Sequence, residues 1–146
     1  MKVTLDTNIV YQALYSSVDA SHEIFRMVRS GTLQMAVSVP VFEEYRSVLL
    51  RTKTIRETGR SREEMEKVLD FVALVGVATP IDYLWRPNLR DEADNMFVEL
   101  AVASGSEYLI TRNIRDYTIE NELSLDSFRV VTPATFLSAW RTKHGE

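Results

Sequence analysis

Along this chain, short apolar runs alternate with stretches whose apolar residues recur at helical spacing. The first run, Val3-Thr4-Leu5, reads as a strand ending in Asp6, and Thr7 to Tyr15 follows as a helix broken at Ser16-Ser17. Asp19 or Ser21 can cap a second helix carrying Ile24, Phe25 and Val28, which Gly31 closes. Leu33 to Val39 is a mostly apolar strand, and Pro40 then suits a first helical turn, where its missing N–H costs nothing. On a wheel of roughly 100° per residue, Val41, Phe42, Tyr45, Val48 and Leu49 of the next helix share one arc. Glu44 falls at the edge of that arc and Glu43 points away from it.

Residues 51–62 hold five basic residues against one acid, Glu57, and read as an exposed linker or loose helix end. Ser61 and Glu64 form a capping box for a helix to about Val75, with Met65, Val68, Leu69, Val72 and Val75 inward. Val77 to Thr79 reads as a short strand and 81–89 as a connection. A helix opening at 90–95 and ending before Gly105 buries Ala93, Met96, Phe97, Leu100 and Ala101, with Asp94 at the margin of that stripe. Glu107 to Thr111 is a buried-type strand, 118–127 a polar loop, and Phe128 to Val131 a last strand before a helix begun by Thr132-Pro133. Such alternation predicts an α/β fold, a three-layer α/β/α sandwich around a mostly parallel sheet, with residues 1–146 as one domain.

Composition narrows the function without deciding it. Apolar residues make up 45 % and charged ones 26 %, as in ordinary globular chains. Cysteine is absent, which excludes disulfide frameworks and zinc–thiolate sites. No run approaches the roughly 18 apolar residues of a membrane span, and the opening strand leaves no room for a signal peptide. A soluble cytoplasmic protein without membrane association is therefore expected. The net charge of −4 disfavours binding nucleic acid by bulk electrostatics, yet leaves room for an acidic site that takes up cations.

Three acids stand out by position: Asp6 at a strand end, Glu44 at a helix edge and Asp94 in a first helical turn. Asp6 has a plainer reading as the N-cap of the following helix. The strand ending at Thr111 supplies a second carboxyl end, with Asn113 and Asp116 just beyond. In open parallel sheets such ends face one crevice. Two carboxylates about 4 Å apart repel by on the order of 4 kcal/mol at an effective dielectric near 20. A cluster of three therefore needs a raised pKa or a cation. Oxygen ligands suit a hard ion such as Mg²⁺ or Mn²⁺, typical of enzymes acting on phosphates. His22 and His144 stand alone and read as surface residues.

VTLDTN near the start, the helix VFEEYRSVLL, the stretch RDEADNMFVELAVASGSEYLITRNIRDY and the closing strand and helix together resemble the PIN-domain nucleases. More narrowly, they resemble the VapC-like toxin ribonucleases of bacterial toxin–antitoxin modules. The resemblance spans essentially the whole chain and implies a Mg²⁺- or Mn²⁺-dependent endoribonuclease. Its catalytic acids map to Asp6, Glu44 and Asp94, its metal ligands to these with Asp116 and Asn113, and its substrate side to Asn8, Thr111, Arg112 and Arg115. Thr111 would also order the site through its hydroxyl. An RNA substrate, an antitoxin partner and a homodimer are further implications. One block departs: many relatives read T-G-D where this chain reads Thr111-Arg112-Asn113, so one well-held ion is the expectation. Two other readings stand beside this one: a housekeeping RNA-processing or structure-specific nuclease of the same fold, and a non-catalytic Mg²⁺-binding α/β module.

Overall fold

A computed structural model describes residues 1–81, 95–117 and 128–145. Among them, five strands form a parallel sheet in the order β3-β2-β1-β4-β5: β1 Lys2–Leu5, β2 Gln34–Val37, β3 Val77–Ala78, β4 Tyr108–Ile110 and β5 Arg129–Val131. The chain builds outward from β1 to β3 and then returns to the other side of β1 for β4. The order therefore reverses between β1 and β4, where open α/β sheets form their ligand crevice.

The helices are α1 Thr7–Tyr15, α2 Ala20–Arg29, α3 Val39–Leu49, α4 Thr52–Thr58, α5 Arg62–Val75, α6 Asn95–Ser104 and α7 Pro133–His144. This is the α/β architecture with a parallel central sheet that the alternation predicts. Local chemistry sets most boundaries. The Asp19 carboxylate accepts from Ser21 N–H at the start of α2, and Ser38 accepts from Val41 N–H at the start of α3. Ser61 and Glu64 complete the expected capping box on α5.

The core runs through the sheet. Val3, Leu5, Met35, Ala36, Leu109 and Ile110 are fully buried, as two-sided cover of a parallel sheet requires. On α6, Phe97, Val98, Leu100 and Ala101 are all buried, a wider face than the predicted stripe because this helix touches β1, β2 and β4 at once. The turn between α6 and β4 is pinned to β1 by Lys2 Nζ donating to the Ser104 carbonyl at 3.0 Å and by a 2.9 Å Thr4–Ser106 hydroxyl contact. These bonds fix the register Val3↔Tyr108, Thr4↔Leu109, Leu5↔Ile110, so β1 and β4 end level with each other.

One segment differs from expectation. Residues 52–58, read as linker or loose helix end, form the helix α4 with Thr54 buried against neighbouring elements. Short helices gain most of their stability from tertiary packing, and α4 touches both α1 and α3. Tyr11 donates to Glu57 at 2.9 Å, and Gly59, at φ 69°, supplies the left-handed residue that ends the helix.

Gly76 joins α5 to β3 at an ordinary φ of −63°, but a Cβ there would lie 2.5 Å from Val37 Cγ2 and 2.7 Å from the Val72 carbonyl oxygen. Val37 is β-branched and the carbonyl is backbone, so neither yields easily. Gly76→Ala should lower unfolding free energy by about 1–3 kcal/mol. Urea denaturation should show this as a lower midpoint at unchanged slope.

Candidate active site

At the carboxyl end of β1 the chain leaves the sheet through Asp6, and at the matching end of β4 it leaves through Thr111. Asp6 N–H still donates to the Ile110 carbonyl at 3.0 Å, and Thr111 N–H to the Val131 carbonyl at 2.9 Å. Backbone pairing thus carries both residues to the rim in fixed positions. Asp6 is 6 % exposed and Thr111 fully buried.

Asp6 occupies the N-cap position of α1, yet its side chain makes no capping hydrogen bond. Its bonds go across the sheet instead. Oδ2 accepts from the Thr111 hydroxyl at 2.8 Å and from the Tyr117 hydroxyl at 2.9 Å. The cross-sheet bonds therefore go beyond what capping α1 asks of this aspartate, even though the Thr7 and Asn8 N–H groups lie close enough to stabilise its carboxylate.

Thr111 is itself held from behind. Its Oγ1 accepts from Asn113 N–H at 3.1 Å and from Asn8 Nδ2 at 3.4 Å. A hydroxyl has one proton to give, and with both acceptor sides occupied that proton points at Asp6. Asn8 Oδ1 in turn accepts from Arg112 N–H at 3.2 Å, and the Arg112 guanidinium bonds the Gln12 side-chain oxygen. The segment 111–117 is thereby clamped to the first turns of α1.

On the other side, Tyr45 of α3 is fully buried and its hydroxyl donates to the Leu5 carbonyl, one residue before Asp6. Burial raises the Tyr45 phenol well above its usual pKa, and the nearby Asp6 charge adds to this, so Tyr45 remains a proton donor. Burial also pushes the Asp6 carboxyl above the usual carboxylate range. The Thr111 and Tyr117 hydroxyls oppose that rise, as do the nearby Asn8 and Thr7 N–H groups, but they do not cancel it. None of the forces acting on Asp6 among the described residues comes from a cationic side chain.

The other expected site residues fall as follows. Glu44 is half-buried and Glu43 exposed, the split the helical wheel predicts. Glu44 directly precedes Tyr45, whose hydroxyl reaches the Leu5 carbonyl. Asp94 lies outside the described residues. Asn113, Arg112 and Arg115 are exposed, and Asp116 is half-buried in a short 3₁₀ turn, Ile114–Tyr117. Thr111, expected on the substrate side and as an ordering residue, is fully buried with its hydroxyl on Asp6 Oδ2. Among the described residues no three His, Cys, Asp or Glu side chains gather in metal-binding geometry. Two residues at the site carry no chemical signal in the sequence. Tyr45 falls on the core arc of its helix, and Tyr117 simply follows Asp116, so neither position announces a use for its hydroxyl. A cavity of about 450 Å³ between β2, α3, α5 and the β3 edge is lined by Val37, Phe42, Glu43 and Val72 and does not include Asp6.

A PIN domain family model matches residues 2–115. The chain belongs to the PIN-domain family. A crystal structure of VapBC2 from Rickettsia felis, bound to a DNA fragment from the promoter, is similar in fold. Its TM-score is 0.61 over 90 % of this chain and 98 % of that one, at 17 % identity. No curated protein matches. PIN domains are generally nucleases and usually use a divalent metal. Beyond the family match, β5 completes the sheet beside β4, and α7 packs on α2.

The Asp6 surroundings fit such an ion. Its donors are oxygens, as hard cations prefer, and a desolvated carboxylate without a cationic partner is what a bound cation would compensate. A pH dependence follows for the metal-free protein. The folded state holds the Asp6 proton more tightly than the unfolded chain, so this group's contribution is most favourable below about pH 3.9. It is lost as pH rises through the raised folded-state pKa, and levels off above it. Asp6→Asn should abolish that loss, raising the Tm of EDTA-treated protein at neutral pH relative to wild type. A wild-type-minus-variant difference that stays flat between about pH 4 and 7 would contradict the assignment.

Proposed function

We propose that this PIN domain is a Mg²⁺- or Mn²⁺-dependent endoribonuclease, the toxin of a toxin–antitoxin module, with Asp6, Glu44 and Asp94 as its catalytic acids. The observation that carries the reading is the buried Asp6 carboxylate at the β1/β4 reversal, oriented by hydroxyls and lacking a cationic partner among the described residues. The family match and the fold shared with VapBC2 support it. Asn113 and Asp116 complete the proposed ligand set, and the domain extends over residues 1–146.

In this reading the chain supplies position and charge. Asp6 offers a carboxylate whose orientation is set before any ligand arrives, so little ordering cost remains at binding. Glu44, at the hydrated border of α3, has the freedom to accept a proton from an attacking water. Arg112 and Arg115 lie exposed beside the rim, where guanidinium groups pair with phosphate oxygens. A bound divalent ion supplies water activation and charge stabilisation for in-line phosphodiester displacement. RNA as substrate, an antitoxin protein as partner, a homodimer and a cytoplasmic location belong to the same proposal.

A cleavage assay on structured RNA with Mn²⁺, run with and without EDTA, tests it. Asp6→Asn and Asp94→Asn should each cut activity by at least about 100-fold while the fold, read by circular dichroism, persists. Glu44→Gln should lose activity heavily and Glu43→Gln very little. Undiminished cleavage by the aspartate variants, or EDTA-insensitive cleavage, would refute the assignment.

A further inference from the structure

We propose that Tyr117 is a positioning residue for Asp6: with Thr111 it holds one carboxylate oxygen and so presents the other to the cation. The inference rests on the reading of Asp6 as a cation ligand.

The geometry is specific. Both hydroxyls converge on the same atom, Oδ2, at 2.8 and 2.9 Å, and Oδ1 receives no side-chain hydrogen bond among the described residues; the Thr7 and Asn8 N–H groups lie near the carboxylate and steady it further. Two donors arriving from one side fix both the torsion of the carboxylate and which oxygen faces outward. Tyr117 is 4 % exposed. Its ring would pack equally well without the hydroxyl, so the polar tip, placed on a buried acid, is what needs a reason.

The two donors come from one short segment, which makes them a unit. Asp116 N–H donates to the Asn113 carbonyl at 3.2 Å, closing the 3₁₀ turn that brings the Tyr117 hydroxyl to Asp6. Asn113 N–H meanwhile holds Thr111 Oγ1. The segment after β4 therefore reaches Asp6 at both ends, once through a short side chain and once through a long one. A purely apolar core residue at 117 would leave Thr111 as the single hydroxyl donor to Oδ2 and loosen the carboxylate's orientation.

Partners that orient a ligating carboxylate typically change metal affinity by 10- to 100-fold when removed. The full-length protein, with Mn²⁺ as probe, gives a direct test by electron paramagnetic resonance titration of free Mn²⁺. Tyr117→Phe should weaken Mn²⁺ binding by about 10-fold. At saturating Mn²⁺ the KM for RNA should stay unchanged and kcat should fall. A merely structural role would lower the Tm but leave Mn²⁺ affinity intact.

Wild-type-like Mn²⁺ affinity in folded Tyr117→Phe would overturn this inference while leaving the cation reading standing. Absence of Mn²⁺ binding by wild type would overturn both. Should the phenylalanine variant fail to fold, the other donor serves: Thr111→Ser should keep Mn²⁺ affinity and Thr111→Val should lose it. Equal affinity in those two would reject the shared-oxygen arrangement.

Discussion

A carboxylate withdrawn from water at the end of the central strand is the constraint around which the rest of this structure is arranged. Desolvation alone would drive Asp6 toward its neutral form, and among the described residues the fold answers with oriented hydroxyls rather than with a neighbouring cation. That choice leaves a residual imbalance. An arginine beside Asp6 would quench it permanently, whereas hydroxyl donors hold the group in place and leave its charge to be met by something that arrives.

Everything that sets this geometry is topological before it is chemical. The strand order reverses between β1 and β4, so Asp6 and Thr111 leave the sheet at the same level although they stand more than a hundred positions apart in sequence. The Lys2–Ser104 and Thr4–Ser106 bonds fix that level, and a slip of one residue would turn Asp6 to the opposite face. Tyr45 ties α3 to the Leu5 carbonyl, one residue before Asp6. Stability and site geometry are thus served by the same few contacts.

The sequence disclosed the architecture because period and punctuation agree at nearly every element. Strand runs are apolar, and Ser38, Ser61 and Thr132 each cap the helix that follows. The wheel separated Glu44 from Glu43, and their exposures divide the same way. It failed at residues 52–58, where a charged run without an apolar stripe becomes helical through contact with α1 and α3, which no local pattern records. The hydroxyls of Tyr45 and Tyr117 were equally invisible. A burial pattern tells that an aromatic ring is inside, never where its polar tip will end. Asp6 looked as suited to capping as to chemistry until the direction of its hydrogen bonds was known.

The decisive feature is which oxygen of Asp6 faces outward. Anomalous diffraction from crystals soaked in Mn²⁺ reads this directly. The expected result is a manganese peak within coordination distance of Asp6 Oδ1, with Oδ2 still bonded to Thr111 and Tyr117. A peak on Oδ2 with those hydroxyls displaced, or manganese bound only at sites remote from Asp6, would contradict it.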